Sequence, residues 1–321
     1  MCPPLKCPLS WSFGEQAVSN TLSYTKRDLI LFALGVGCCC KEDLHYLYEG
    51  DEAFSAFPTF PLTLPFKGES CDVVDFPGDT LPLLPQALYD AIPNPAGVLH
   101  YDQELIIKKP LATEGGKLHA VTNVIGIEAL SRGSVVRTKT VMADSEGDVV
   151  CETVMGAYYG AWKLPHSLGM VPKRDAKPPA RKPETSLYYR TSPEQAALYR
   201  LSGDYNPLHI DPAMSKQMGL REPILHGLCT FGIAARGILQ HAREGKEQAP
   251  RLASMRGRFV SPAWPGDVLI TSIWEEGGHL LWQVCRQGEG EDAEGVPVLV
   301  ATGSALLSQQ PVTATSPRSR L

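Results

Sequence analysis

Asp204, Asn206 and His209 place a carboxylate, a carboxamide and an imidazole within six positions of the chain. Pro207 fixes its own φ, removes a backbone donor and steers Asn206 out of the α region, and Gly203 just ahead is free to adopt conformations closed to other residues. The segment is therefore a stiff loop, from which the Asp204 and His209 side chains can reach one water molecule. A base and an acid on one water are what hydration of an activated double bond requires, together with donors for the developing oxyanion. The same residue types also form turns and structural histidines, so the loop alone leaves both readings open.

Helix signals frame this loop. Ser192, Pro193 and Gln195 make a capping box with proline in the first turn, so a short helix runs to about residue 201 and stops at Gly203. Asp211 with Pro212 starts a second helix that Gly219 can end. A third helix, expected over 224–242, carries Gly227, Gly232, Ala234, Ala235 and Gly237 and so has almost no bulk on one side. Such a helix is buried and closely approached by another backbone or a ligand. His226 and Gly227 sit at its amino end, where free N–H groups and the helix dipole favour negative charge.

The run YRLSGDYNPLHIDP followed by ILHGLCTFG resembles the hydratase 2 motif of the MaoC-like enoyl-CoA hydratases. YEGDEAFSAFPTFPL, VLHYDQELIIKKPL and RGRFVSPAWPGDVL also resemble segments of that family, so the likeness covers roughly residues 21–307. The resemblance implies an α+β double hot-dog fold, two antiparallel sheets each wrapping a long helix and joined side by side. It implies a (3R)-specific 2-enoyl-CoA hydratase acting on trans-2-enoyl-CoA, with Asp204 and His209 as catalytic pair, Asn206 positioning them and the Gly227 N–H in the oxyanion hole. Glu49 matches a family glutamate implicated in activity, and a structural carboxylate is an equal reading for it. Acyl-CoA contacts fall on His100, Tyr101, Arg132, Asp204, Tyr205, Asn206, Pro207, Leu208, His209, Gly227 and Phe259. At Tyr101 relatives commonly carry glycine. A homodimer is implied, and no cofactor beyond the CoA of the substrate. A hot-dog acyl-CoA thioesterase and a non-catalytic acyl-CoA binding module are the rival readings. As metal ligands, His209, Asp211 and His226 match no standard spacing, and none is expected.

The chain as a whole bounds these readings. Its 321 residues, 43% hydrophobic and 20% charged, are enough for one large or two ordinary domains. A net charge of −5 gives no general reason to expect nucleic acid as a partner. No stretch approaches the ~20 apolar residues that membrane insertion needs. Nine cysteines, an odd number that includes Cys38, Cys39 and Cys40, point to reduced thiols inside the cell. Ser319, Arg320 and Leu321 form a basic variant of the Ser-Lys-Leu address, implying a peroxisomal import receptor as partner and the peroxisome as location.

Helix followed by strands occurs twice. A helix over 24–37, capped by Thr25 with Asp28 in its first turn, precedes strands near 98–109, 116–130, 134–144 and 149–159. The loop helices precede strands near 251–260, 267–275, 280–286 and 298–307. The expected organisation is an extension (1–20), a hot-dog unit accommodating the acyl chain (21–162), a Pro-rich basic linker (163–186), a catalytic hot-dog unit (187–308) and a flexible tail (309–321). Residues 66–95 read as irregular, and the motif occurs once, so one active site per chain is expected.

Overall fold

The computed structural model describes residues 17–81, 83–93, 97–172, 177–246, 250–287 and 296–308. Most of the expected extension, and the tail with Ser319, Arg320 and Leu321, lie outside the described residues. The first half runs through strand β1 (Val18–Tyr24), helix α1 (Lys26–Gly35), the short helices α2 (Leu44–Leu47), α3 (Leu64–Lys67) and α4 (Gln86–Ala91), and strands β2 (Val98–Ile107), β3 (Gly116–Leu130), β4 (Gly133–Ala143), β5 (Val149–Tyr159) and β6 (Leu168–Gly169). The second contains β7 (Thr185–Arg190), α5 (Gln195–Arg200), α6 (Pro212–Gln217), α7 (Gly227–Arg243), β8 (Arg251–Phe259), β9 (Val268–Glu276), β10 (His279–Gln287) and β11 (Val298–Ser308).

The strands form one sheet in the order β1-β3-β4-β5-β2-β8-β11-β10-β9-β7, with β6 on β3, and every pairing is antiparallel. The halves meet edge to edge where β2 pairs with β8, from Asp102↔Arg258 to Ile106↔Ser254. This is the double hot-dog arrangement. The second half has its long helix, the 17-residue α7, against β7, β8, β9 and β10. The first half departs in detail, because α1 is only 10 residues long. Its sheet face is covered in pieces instead: Phe57, Phe60 and Leu64 join the main core with Leu118, Ala120 and Met142, while Leu84, Leu88 and Ile92 around α4 pack with Val124, Ile127 and Val136. The 66–95 stretch, irregular by sequence, therefore carries part of a core.

Local chemistry explains most boundaries. Thr25 caps α1 through a reciprocal capping box with Asp28, and Asp211 caps α6 by accepting from the Ala213 N–H at 2.8 Å. The box at Ser192 is half made: Ser192 N–H donates to Gln195 Oε1 at 3.4 Å, and the helix begins only at Gln195. Gln195 is drawn away because its amide also donates to the Gly35 carbonyl at 2.7 Å, tying α5 to the end of α1. Helix α7 starts at Gly227, later than expected, because Leu225 pairs with the Ala263 carbonyl in extended conformation. The linker is partly sheet, since β6 pairs with Gly126 and Ile127 and β7 begins at Thr185.

Small residues let the pieces close on the loop that carries Asp204 and His209. A Cβ on Gly232 would lie 2.4 Å from Val36 Cγ1, so the end of α1 presses directly on α7. Gly203 has φ +130, and a Cβ there would lie 2.5 Å from Lys67 Cβ. The buried Lys67 is itself held by bonds from Nζ to the Ser23 and Ser70 carbonyls at 2.9 and 2.5 Å. The first half thus props the backbone one residue before Asp204. Gly203→Ala is expected to cost about 2–4 kcal/mol, from left-handed strain plus overpacking. Chemical denaturation should show a lower midpoint, and an unchanged midpoint would mean that this contact does not hold the loop.

Candidate active site

The loop turns as its prolines and glycines dictate. Pro207–His209 is a single 3-10 turn, with the Asn206 side chain accepting from the Leu208 N–H at 3.0 Å. Asp204 Oδ1 accepts the Asn206 N–H at 3.3 Å. Both polar residues are therefore turn formers as well as candidates for chemistry. Leu208 and Tyr205 are buried beneath the turn, leaving the Asp204 and His209 side chains to face one another.

His209 is held from two sides. Its Nδ1–H donates to the Ile224 carbonyl at 2.9 Å, which leaves Nε2 as an acceptor. Its face stacks on His226, with ring centroids 3.7 Å apart and planes at 27°. His226 is only 1% exposed, and its Nε2–H donates to the backbone carbonyl of Asp204 at 3.1 Å. One imidazole thus touches the candidate base, fixes the backbone of the candidate acid and directly precedes Gly227. Sequence reading placed His226 at the helix start without seeing this role, because stacking between residues 17 positions apart leaves no local pattern. His226 Nδ1 and the Tyr199 hydroxyl beside it are buried without a hydrogen-bond partner among the described residues.

Electrostatics follow from enclosure. Burial raises the Asp204 pKa above the usual carboxylate value, against the attraction of His209. Burial lowers that of His209, against the pull of Asp204, and holds His226 well below the ordinary imidazole range. Both shifts favour a neutral acid beside a neutral base. Asp204, His209 and His226 each bring a potential ligand atom within 4.8 Å of the others. Stacked rings aim their in-plane lone pairs in parallel, and each has a nitrogen committed to a carbonyl, so this is a poor cage for an ion but a fitting width for one water between Asp204 and His209.

Gly227 occupies the first position of α7, where its N–H has no intrahelical acceptor. A Cβ there would meet the Phe259 ring at 3.1 Å, so glycine is what allows Phe259 to close over the helix start. The His100 ring meets Phe259 edge-on at 4.9 Å, and burial lowers the His100 pKa to about 4. His100 Nε2–H donates to Gln103 Oε1 at 3.1 Å, and the Gln103 amide is oriented by the Glu104 and Val154 carbonyls. Both halves therefore line one site around Asp204, His209, Gly227, His100 and Phe259.

Two further expected residues are exposed on turns. Glu49 is exposed on the turn after α2, with no hydrogen bond or ion pair to Asp204 or His209 among the described residues. Arg132 is exposed at the turn between β3 and β4, where its carbonyl accepts the Tyr158 hydroxyl at 2.5 Å. Tyr101 is the extra residue of a bulge between His100 and Asp102 on β2.

Comparison with known proteins places this geometry in a lineage. Residues 22–160 match the MFE-2 hydratase 2 N-terminal domain, and residues 174–294 match the MaoC like domain. The chain is 33% identical over 278 residues to the protein named enoyl-CoA hydratase 2, peroxisomal, of Arabidopsis thaliana, covering 81% of this chain and 85% of that one. It is 34% identical to the peroxisomal multifunctional enzyme type 2 of Drosophila melanogaster over 87% of its own length, and it spans 46% of that longer protein. A MaoC-like dehydratase from Phytophthora capsici superposes with a TM-score of 0.82 at 37% identity, over 92% of this chain and 96% of the other. With both halves matched in order and the loop, helix start and seam in place, the chain belongs to the MaoC-like hydratase and dehydratase family.

Proposed function

We propose that the protein is a (3R)-specific 2-enoyl-CoA hydratase that adds water reversibly to trans-2-enoyl-CoA. The observation that carries this reading is the buried Asp204 and His209 pair, spaced for one water and set beside the free N–H of the α7 start. His209 Nε2 takes a proton from that water as its oxygen bonds to C3, and the neutral Asp204 carboxyl gives a proton to C2. The imidazolium then returns its proton to the carboxylate, so the pair is restored and one water has been consumed. The Gly227 N–H donates to the thioester oxygen as negative charge gathers there, supported by the helix dipole. Asn206 holds the turn, the Ile224 carbonyl keeps His209 in the tautomer that leaves Nε2 free, and His226 stacks against its ring.

The same reading assigns an acyl-CoA to the surface at His100 and Phe259, the acyl chain to the first half (21–162) and catalysis to the second (187–308). No metal or further cofactor is needed, because the acid, base and oxyanion donor are all protein groups. A homodimer is part of the proposal, as is location in the peroxisome, which the peroxisomal names of relatives support.

Incubation of purified protein with trans-2-decenoyl-CoA should remove the enoyl absorbance and yield the (3R)-3-hydroxyacyl product on chiral chromatography, without free thiol. Release of CoA thiol would instead make it a thioesterase, and binding without turnover would leave a binding module. Asp204→Asn and His209→Gln are each expected to lose about 10²–10⁴-fold in kcat with the fold retained. Near-normal turnover in either would remove that residue from the mechanism. Because burial depresses the His209 pKa, its free base persists below the ordinary ~6.5. The acid limb of kcat/KM should therefore fall only below that value, and a limb at or above it would contradict the buried base. His226→Gln, which opens the stack to water, should move this limb upward, whereas His226→Phe, which keeps the ring, should not.

A further inference from the structure

The carbonyl that fixes the His209 tautomer sits on an irregular strap. Residues 220–226, between α6 and α7, are neither helix nor strand. The Leu220 N–H donates to the Ser215 carbonyl at 2.9 Å, and the Leu225 N–H to the Ala263 carbonyl at 2.8 Å. Between these two bonds lie Arg221 and Glu222, both exposed, and Pro223, which has no N–H to give and keeps Glu222 extended. Ile224, whose carbonyl accepts the His209 Nδ1–H, follows directly. Without a helix or ladder around it, this carbonyl points where its neighbours hold it.

Side-chain stacking ties the strap down. The guanidiniums of Arg221 and Arg286 both lie over the Trp264 ring, 4.3 and 4.5 Å from its centroid. Arg286 is fixed on β10, paired with Leu269 of β9. Trp264 is buried in the turn leading into β9, and that turn is rigid. Its N–H donates to Asp267 Oδ2 at 2.9 Å, and the Asp267 N–H returns to the Trp264 carbonyl at 3.1 Å. The buried Thr191 hydroxyl accepts from the Gly266 N–H and donates to the Asp267 carbonyl, each at 2.9 Å. Each cation also has a carboxylate at hand, Glu222 at 3.1 Å from Arg221 and Asp267 at 4.0 Å from Arg286, so two guanidiniums share one ring with their charge offset. The Glu222 pair is internal to the strap and cannot anchor it. The Trp264 ring, fixed in its turn, can.

We propose that Arg221 is a positioning residue: its stacking on Trp264 clips the strap to the β9 turn and holds the Ile224 carbonyl at His209 Nδ1, leaving Nε2 as the acceptor. The consequence for hydration rests on the hydratase reading, whereas the consequence for the His209 tautomer does not. A neutral imidazole keeps its proton on the nitrogen that has an acceptor, so a strap free to drift divides His209 between two tautomers. Only one of them is a base at Nε2.

The test reads imidazole 15N shifts of the whole chain at about pH 8 without substrate, the His209 signals being assigned through His209→Gln, with melting curves to verify folding. Wild type should show His209 as a single tautomer protonated on Nδ1. Arg221→Ala, a substitution at an exposed position, should fold and show a mixture. Its kcat for trans-2-decenoyl-CoA should fall about 3–10-fold, the bias that one hydrogen bond supplies, with KM little changed. Arg221→Lys, which keeps a cation over the ring, should recover part of both. Glu222→Ala, which removes the ion pair and keeps the stack, should match the wild type. A mixed tautomer in Arg221→Ala supports the clip even if the wild type hydrates nothing. A single Nδ1–H tautomer in folded Arg221→Ala refutes it even if hydration slows, and so does a Glu222→Ala variant as mixed as Arg221→Ala.

Discussion

Two imidazoles buried face to face constrain the whole site. Burial disfavours the charged form of both, because each would bring a cation into an enclosed pocket against its neighbour. Each must therefore spend its one N–H on a protein acceptor, and the carbonyls of Ile224 and Asp204 supply them. That requirement explains why the chain before α7 is extended rather than helical, why the helix begins at Gly227, and why Asp204 sits where its backbone can meet His226. In the proposed mechanism, the tautomer of the base and the position of the acid follow from this stacked pair and its two carbonyl acceptors.

Holding such a pair needs both halves of the molecule. The first half contributes neither Asp204 nor His209, yet Lys67 abuts Gly203, a Cβ on Gly35 would lie 3.3 Å from the Tyr199 Cα, and Val36 presses on Gly232. Its shortened central helix is consistent with this division of labour, since α1 packs on α5, which leads into the Asp204–His209 loop. The seam between β2 and β8 ends just before the His100 and Phe259 rings come together, so both halves contribute to the candidate site.

Much of this was legible in the chain. The strands of both halves, the capped α1 and α6, and the small-residue face of α7 follow from periodicity and capping chemistry, which are local. The loop around Pro207 and Gly203 was legible because backbone restriction is also local. β1 escaped notice because only Leu22 and Tyr24 of its seven residues turn inward, leaving a polar run that reads as tail. α4 was hidden among prolines, although Leu88 is fully buried beneath the sheet. His226 was placed but not understood, because its stacking partner and its acceptor are both distant in sequence. Glu49, which a motif match placed among the functional residues with a structural carboxylate as the equal reading, is exposed on a turn.

The most direct test of one water shared by Asp204 and His209 is the stereochemistry of hydration in deuterium oxide. Trans-2-decenoyl-CoA would be hydrated by the wild type in that solvent, and the relative configuration of the new C2 deuterium and C3 hydroxyl read from proton coupling constants. Addition of both groups to one face, with (3R) configuration at C3, is the predicted result. Addition to opposite faces, or a mixture at C2, would contradict it, because an acid and a base on the same side of the substrate cannot produce either.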